Sequence, residues 1–152
     1  INKAVVLYDT MWKSTATLAK LIGEGLIEGG VTDVRFLSMS EVHRSDVVTE
    51  LLEAGALVVG SPTMNNNILP SIADIMTYLK GLKPRNLLGA AFGSFGWSGE
   101  APKQLHAMLE EMGLDMPAEP LRVNYVPNEA EQAAAREFGL GLAAALKERL
   151  TQ

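Results

Sequence analysis

Residues 4 to 15 read AVVLYDTMWKST: an apolar run from Ala4 to Tyr8 breaks at Asp9 into a polar junction, and a helical pattern follows. A continuous apolar run of this length suits a strand covered on both faces. Beyond the junction Leu18, Leu21, Ile22 and Leu26 recur at helical spacing, and Gly29-Gly30 supplies a stop. Ser14 is placed to cap that helix. A bland turn is more often built from Gly, Asn or Asp. Here the junction instead carries the hydroxyls of Thr10, Ser14 and Thr15 around Met11, Trp12 and Lys13.

The strand-loop-helix unit recurs along the chain. Asp33 to Leu37 alternates like a strand, and Ser45 opens a short helix with Val47, Val48, Leu51 and Leu52. Ala56 to Gly60 is a second continuous apolar run, followed by a helix from Pro70 to Lys80. Leu87 to Phe92 and Leu121 to Val126 read as the remaining strands, with a helix from Ala101 to Met112 between them. Asn128 with Glu131 three residues on forms a capping box for the last helix. Strict β-α alternation implies an α/β fold: a doubly wound, five-stranded parallel sheet with helices on both faces and right-handed crossovers. The expected strand order is 2-1-3-4-5, with ligands bound beyond the carboxyl ends of the strands near the switch point.

Composition sets the outer bounds. A length of 152 residues, 47% hydrophobic and 20% charged, suits one globular domain, and no repeat or linker divides it. Without cysteine there are no disulfides or thiolate metal sites, which fits a reducing, cytoplasmic compartment. The net charge of −5 disfavours nucleic acid as a partner. No apolar run approaches the ~20 residues that span a bilayer, so no membrane partner is expected. The chain opens Ile1-Asn2-Lys3 with no initiator Met, and the expectation is a single domain, residues 1–152, cut from a longer polypeptide.

The strand order brings three polar connections to one crevice, because strands one, three and four are neighbours. The first is Thr10 to Thr15, where the start of the helix offers unpaired N–H groups and a positive dipole end to a phosphate. The second, Ser61 to Asn67, contains Pro62, Thr63, Met64 and the carboxamides of Asn65, Asn66 and Asn67, suited to the edge of a heterocycle. The third, Gly93 to Gly99, holds Ser94, Phe95, Gly96, Trp97 and Ser98; its glycines permit close backbone approach, and Trp97 offers an aromatic face. No G-x-x-x-x-G-K-[ST] pattern occurs, and G-x-x-G-x-x-G after strand four is not a dinucleotide fingerprint. Taken singly, the first loop is equally a Ser-capped helix start and the second more simply a polar turn. Convergence is the stronger signal. His43, His106 and Glu110-Glu111 read as solvated helix positions, the seven Met residues as core filler. No nucleophile, base and orienter emerge together, so no catalytic residue and no metal site is assigned.

The segments Tyr8 to Thr15, Gly60 to Asn67 and Phe92 to Ala101 together resemble a flavodoxin-like FMN domain, flavodoxin being the reference case for this strand order. More narrowly they resemble the C-terminal flavodoxin domain of the A-type flavoproteins, or flavodiiron proteins. The resemblance covers essentially the whole chain. It implies that FMN is the cofactor, with Thr10, Met11, Trp12, Lys13, Ser14 and Thr15 around its phosphate. Pro62 to Asn67 and Ser94 to Gly99 then flank the isoalloxazine ring, Trp97 as its aromatic neighbour and Trp12 nearer the phosphate. Lys13 stands where such loops commonly carry Gly, a departure that adds positive charge beside the phosphate.

The same resemblance implies a role as an electron carrier within a larger oxidoreductase. Electrons would come from a donor such as rubredoxin or a flavin/nicotinamide reductase. They would pass to a di-iron site on a metallo-β-lactamase-like domain, absent from this chain, that reduces dioxygen or nitric oxide. The parent protein would be a homodimer. The alternative is a stand-alone FMN-dependent NAD(P)H:quinone oxidoreductase. A receiver-like signalling module is set aside, since Asp9 has no acidic neighbour and Ser61-Pro62-Thr63 holds no Asp.

Overall fold

The computed structural model describes residues 2–9, 14–63, 68, 70–82, 87–95, 100–124 and 127–151, with Ser14, Phe95 and Asn124 described by backbone alone. Ten elements alternate: β1 (Lys3–Tyr8), α1 (Ser14–Glu28), β2 (Asp33–Ser38), α2 (Arg44–Leu51), β3 (Ala56–Gly60), α3 (Pro70–Leu82), β4 (Leu88–Phe95), α4 (Glu100–Glu111), β5 (Leu121–Asn124) and α5 (Glu129–Leu150). The five strands form one parallel sheet in the order β2-β1-β3-β4-β5, as expected.

Alternation along each strand divides the apolar residues between two cores. Ala4, Val6, Val58 and Ala90 face Leu18, Ile22, Leu26, Leu142 and Leu146 on one side of the sheet. Val5, Leu7, Leu57, Val59 and Ala91 face Ile72, Ile75, Met76, Leu105 and Leu109 on the other. Burial on both faces explains why the central strands are unbroken apolar runs. α1 and α5 pack with backbones in close approach: a Cβ on Gly25 would lie 2.1 Å from the Arg136 carbonyl, and one on Gly139 2.1 Å from the Ile22 carbonyl.

Several boundaries depart from the sequence reading. β4 continues to Phe95, so Gly93 and Ser94 lie in the sheet rather than in a polar loop. Gly93 and Ser94 pair with Arg122 and Val123 of β5, while Thr63 N–H donates to the Ser94 carbonyl at 2.9 Å. Ladder bonds on both sides override the local loop signal of Gly and Ser. α2 is capped by His43, not Ser45: His43 Nδ1 accepts from Ser45 N–H at 3.2 Å and Asp46 accepts from His43 N–H at 3.0 Å. Leu52, expected within the helix, is its C-cap and 78% exposed, whereas Val47 is buried. α3 extends to Leu82, and α4 runs from Glu100 to Glu111. The expected capping box of α5 is present, Glu131 N–H donating to Asn128 Oδ1 at 2.8 Å. Its preceding strand is described from Leu121 to Asn124 only.

Candidate functional site

The carboxyl ends of β1, β3 and β4 lie side by side, so the connections that follow them open at one end of the sheet. Of the residues singled out there, Ser14, Thr15, Pro62, Thr63, Ser94 and the backbone of Phe95 are described. Thr10, Met11, Trp12, Lys13, Met64, Asn65, Asn66, Asn67, Gly96, Trp97, Ser98 and Gly99 lie outside the described residues. α1 begins at Ser14, which is the first described helical residue.

The described part of the site is a network of short polar contacts beneath that opening. Thr15 and Ser94 are fully buried, with their hydroxyl oxygens 3.2 Å apart, joining the first turn of α1 to the end of β4. Ser61, also fully buried, donates its hydroxyl to the Pro62 carbonyl at 2.8 Å. Thr63 uses both ends: its N–H extends the β3–β4 ladder, and its Oγ1 accepts from Ala101 N–H at 3.1 Å. That bond satisfies one of the first amides of α4, which α4 cannot satisfy internally. A Cβ on Gly93 would stand 2.2 Å from the Ser61 carbonyl, so glycine is what lets β4 close against the end of β3 here.

Two contacts escaped the sequence reading. Asp9, treated there as a lone acid, accepts from the Ser71 hydroxyl at 2.6 Å and so ties the end of β1 to the first turn of α3. Gln104 Oε1 accepts from Ile68 N–H at 3.2 Å, tying the β3–α3 connection to α4. Asp9 lies in the Tyr8 to Thr15 segment without a role assigned there, and Gln104 belongs to no motif. The available signal was placement: each lies within a few residues of a connection at the sheet's carboxyl end.

Charge is distributed unevenly around the opening. α2, α4 and α5 each carry an acid in the first turn, whereas α1 and α3 carry none. The amino end of α1 is therefore free of the carboxylate that would compete with an anion. At the end of β1, burial together with the negative charges of Glu41 and Asp9 raises the Tyr8 phenol above its ordinary pKa. The two histidines do not join the site. His43 caps α2, and His106, on α4, has only 20% of its side chain exposed, less than a solvated position predicts. Its Nδ1 is buried without a hydrogen-bond partner among the described residues. Also among those residues, no three His, Asp or Glu side chains converge as for a metal ion, and no helix is long and apolar enough to cross a membrane.

The chain is similar over most of its length to parts of larger oxidoreductases. It is 45% identical over 149 residues to the rubredoxin-oxygen oxidoreductase of Megalodesulfovibrio gigas, covering 98% of this chain and 37% of that protein. With the nitric oxide reductase of Moorella thermoacetica it shares 42% identity over 143 residues, covering 93% of this chain and 36% of that one. The solved rubredoxin oxygen:oxidoreductase of Desulfovibrio gigas superposes with a TM-score of 0.97 at 43% identity, over 100% of this chain and 38% of that chain. The chain thus spans little more than a third of the curated relatives it matches. The flavodoxin pattern matches residues 6–139, from within β1 into α5 and across the whole sheet, and the chain belongs to the flavodoxin family.

Proposed function

We propose that this chain is the FMN-binding electron-transfer domain of a longer flavodiiron oxidoreductase. The flavodoxin family binds FMN, and when bound FMN supplies one- and two-electron redox chemistry. The observation that carries the reading is the acid-free start of α1 at the opening shared by the β1, β3 and β4 connections. Backbone amides there face an anion with a favourable dipole. Thr10 to Thr15 hold the phosphate, and Thr15 braces the turn from beneath through Ser94. Pro62 to Asn67 and Ser94 to Gly99 flank the ring. Ser61, Thr63 and Gly93 hold those two connections against each other and exclude water behind them. Trp97 covers the ring and Trp12 lies nearer the phosphate.

The likeness to a rubredoxin-oxygen oxidoreductase and a nitric oxide reductase supports the finer reading. A donor such as rubredoxin, or a flavin/nicotinamide reductase, delivers electrons to this domain. They pass to a di-iron site on a metallo-β-lactamase-like domain outside this chain, where dioxygen or nitric oxide is reduced, in a protein that works as a homodimer. The test is direct. The purified chain is mixed with FMN, desalted, and its visible spectrum recorded before and after stepwise anaerobic reduction. A retained, stoichiometric flavin with quenched fluorescence is the expected result, and Trp97→Ala should relieve much of the quenching. A colourless protein after desalting overturns the reading.

A further inference from the structure

The two connections assigned to the ring are joined through the first turns of α4. Thr63 and Ile68, five positions apart, are the described ends of the β3–α3 connection, and each is bonded to α4. Thr63 Oγ1 takes the Ala101 amide at 3.1 Å, and Gln104 Oε1 takes the Ile68 amide at 3.2 Å. Ala101 and Gln104 are three residues apart, so they lie on one face of the helix. α4 in turn begins directly after the β4–α4 connection. Thr63 is nearly buried and Gln104 half-buried, which strengthens both bonds against competition from water.

We propose that Gln104 is a positioning residue of the flavin-binding end: by fixing Ile68 to α4 while Thr63 fixes the other end, it holds the described ends of the β3–α3 connection against the start of α4 and so sets where that connection meets the ring. This rests on the FMN reading above. Gln104 touches no flavin in this account; it acts through the backbone of Ile68. The amide oxygen is the operative atom, since an N–H donor needs only an acceptor at that distance.

The experiment uses the full chain with Gln104→Met, which keeps side-chain length and removes the strong acceptor, and Gln104→Glu, which keeps an acceptor. Three quantities are read: amide hydrogen exchange at Ile68 without flavin, and the dissociation constants of FMN and of riboflavin. Riboflavin lacks the phosphate, so a defect at the ring end affects both ligands alike. In Gln104→Met, Ile68 should exchange about 5-fold faster or more, and both flavins should bind about 3- to 10-fold more weakly, the range expected for one lost hydrogen bond. Gln104→Glu should restore exchange and riboflavin affinity. Should Gln104→Met not fold, Thr63→Val tests the other tie, with exchange read at Ala101. Unchanged flavin affinities in a variant whose amide exchanges faster overturn the positioning role and leave the FMN reading standing, as does a loss confined to FMN. Absence of flavin binding by the unsubstituted chain overturns the FMN reading itself.

Discussion

Tyr8 ends β1 at the mouth of the site, and the ionisation of its phenol is set by where the strand delivers it. Burial is the larger cause of the raised Tyr8 phenol, and the carboxylates of Glu41 and Asp9 add to it. A raised phenol pKa favours the protonated form in the folded state. Its contribution to stability is therefore full below the unfolded value near 10.0 and is lost as pH rises through the folded value. Above pH 10 the unfolded chain has released a proton that the folded chain still holds, so unfolding becomes easier with each step in pH. Urea unfolding of the flavin-free chain at pH 9 and pH 11 should show a larger loss of stability than for Tyr8→Phe. Equal losses would mean that the phenol titrates normally. Asp9 has a role that charge alone does not reveal, since its bond to Ser71 ties the end of β1 to the first turn of α3.

At the scale of elements, glycines separate two kinds of helix position. Gly25 lies where α1 meets α5, with the Arg136 carbonyl 2.1 Å and the Leu140 nitrogen 2.9 Å from the place a Cβ would take. A Cβ on Gly141, exposed on α5, would meet no atom of the described residues within 4 Å beyond its own helix backbone. Alanine gains up to about 1 kcal/mol of helix propensity at either position. At Gly141 that gain stands, and Gly141→Ala should stabilise by roughly 0.5–1 kcal/mol. At Gly25 the methyl meets backbone that cannot rotate away, and overpacking of about 1–3 kcal/mol outweighs the gain. Equilibrium unfolding of the two variants should therefore shift in opposite directions.

The same contrast explains what the sequence could and could not reveal. The apolar runs Ala4 to Tyr8 and Ala56 to Gly60 identified the central strands, and five alternations were enough for the sheet order. Local chemistry also placed the Asn128 cap correctly. It failed where partners distant in sequence decide. Gly93 and Ser94 look like loop until β5 and Thr63 pair with them, and Ser45 looks like a cap until the His43 ring takes its amide. Gln104 has no local signature, because its partner Ile68 is 36 residues away. In the candidate site, the pattern of polar connections was legible. The braces beneath them, Thr15 on Ser94 and Thr63 on Ala101, required the fold.

The whole molecule sets a conflict between local and global electrostatics. The chain carries a net charge of −5, yet the reading places a phosphate at the start of α1. Any ligand that binds only the folded state stabilises it, by about 2.7 kcal/mol at one hundred times its dissociation constant. FMN at that excess should raise the urea midpoint by about 1 M or more, given ordinary slopes for a small domain. The dependence on salt then identifies how the phosphate is held. Contacts to backbone amides are short and largely desolvated, so salt screens them little, whereas the repulsion from surface carboxylates is long-ranged and screened within ~10 Å at 0.1 M. Raising salt from low to moderate strength should therefore tighten FMN while leaving riboflavin, which lacks the phosphate, unchanged. Calorimetric titration of both ligands across that range measures the difference. A weakening of FMN with salt would instead mean that side-chain cations such as Lys13, rather than the amides of α1, carry the phosphate.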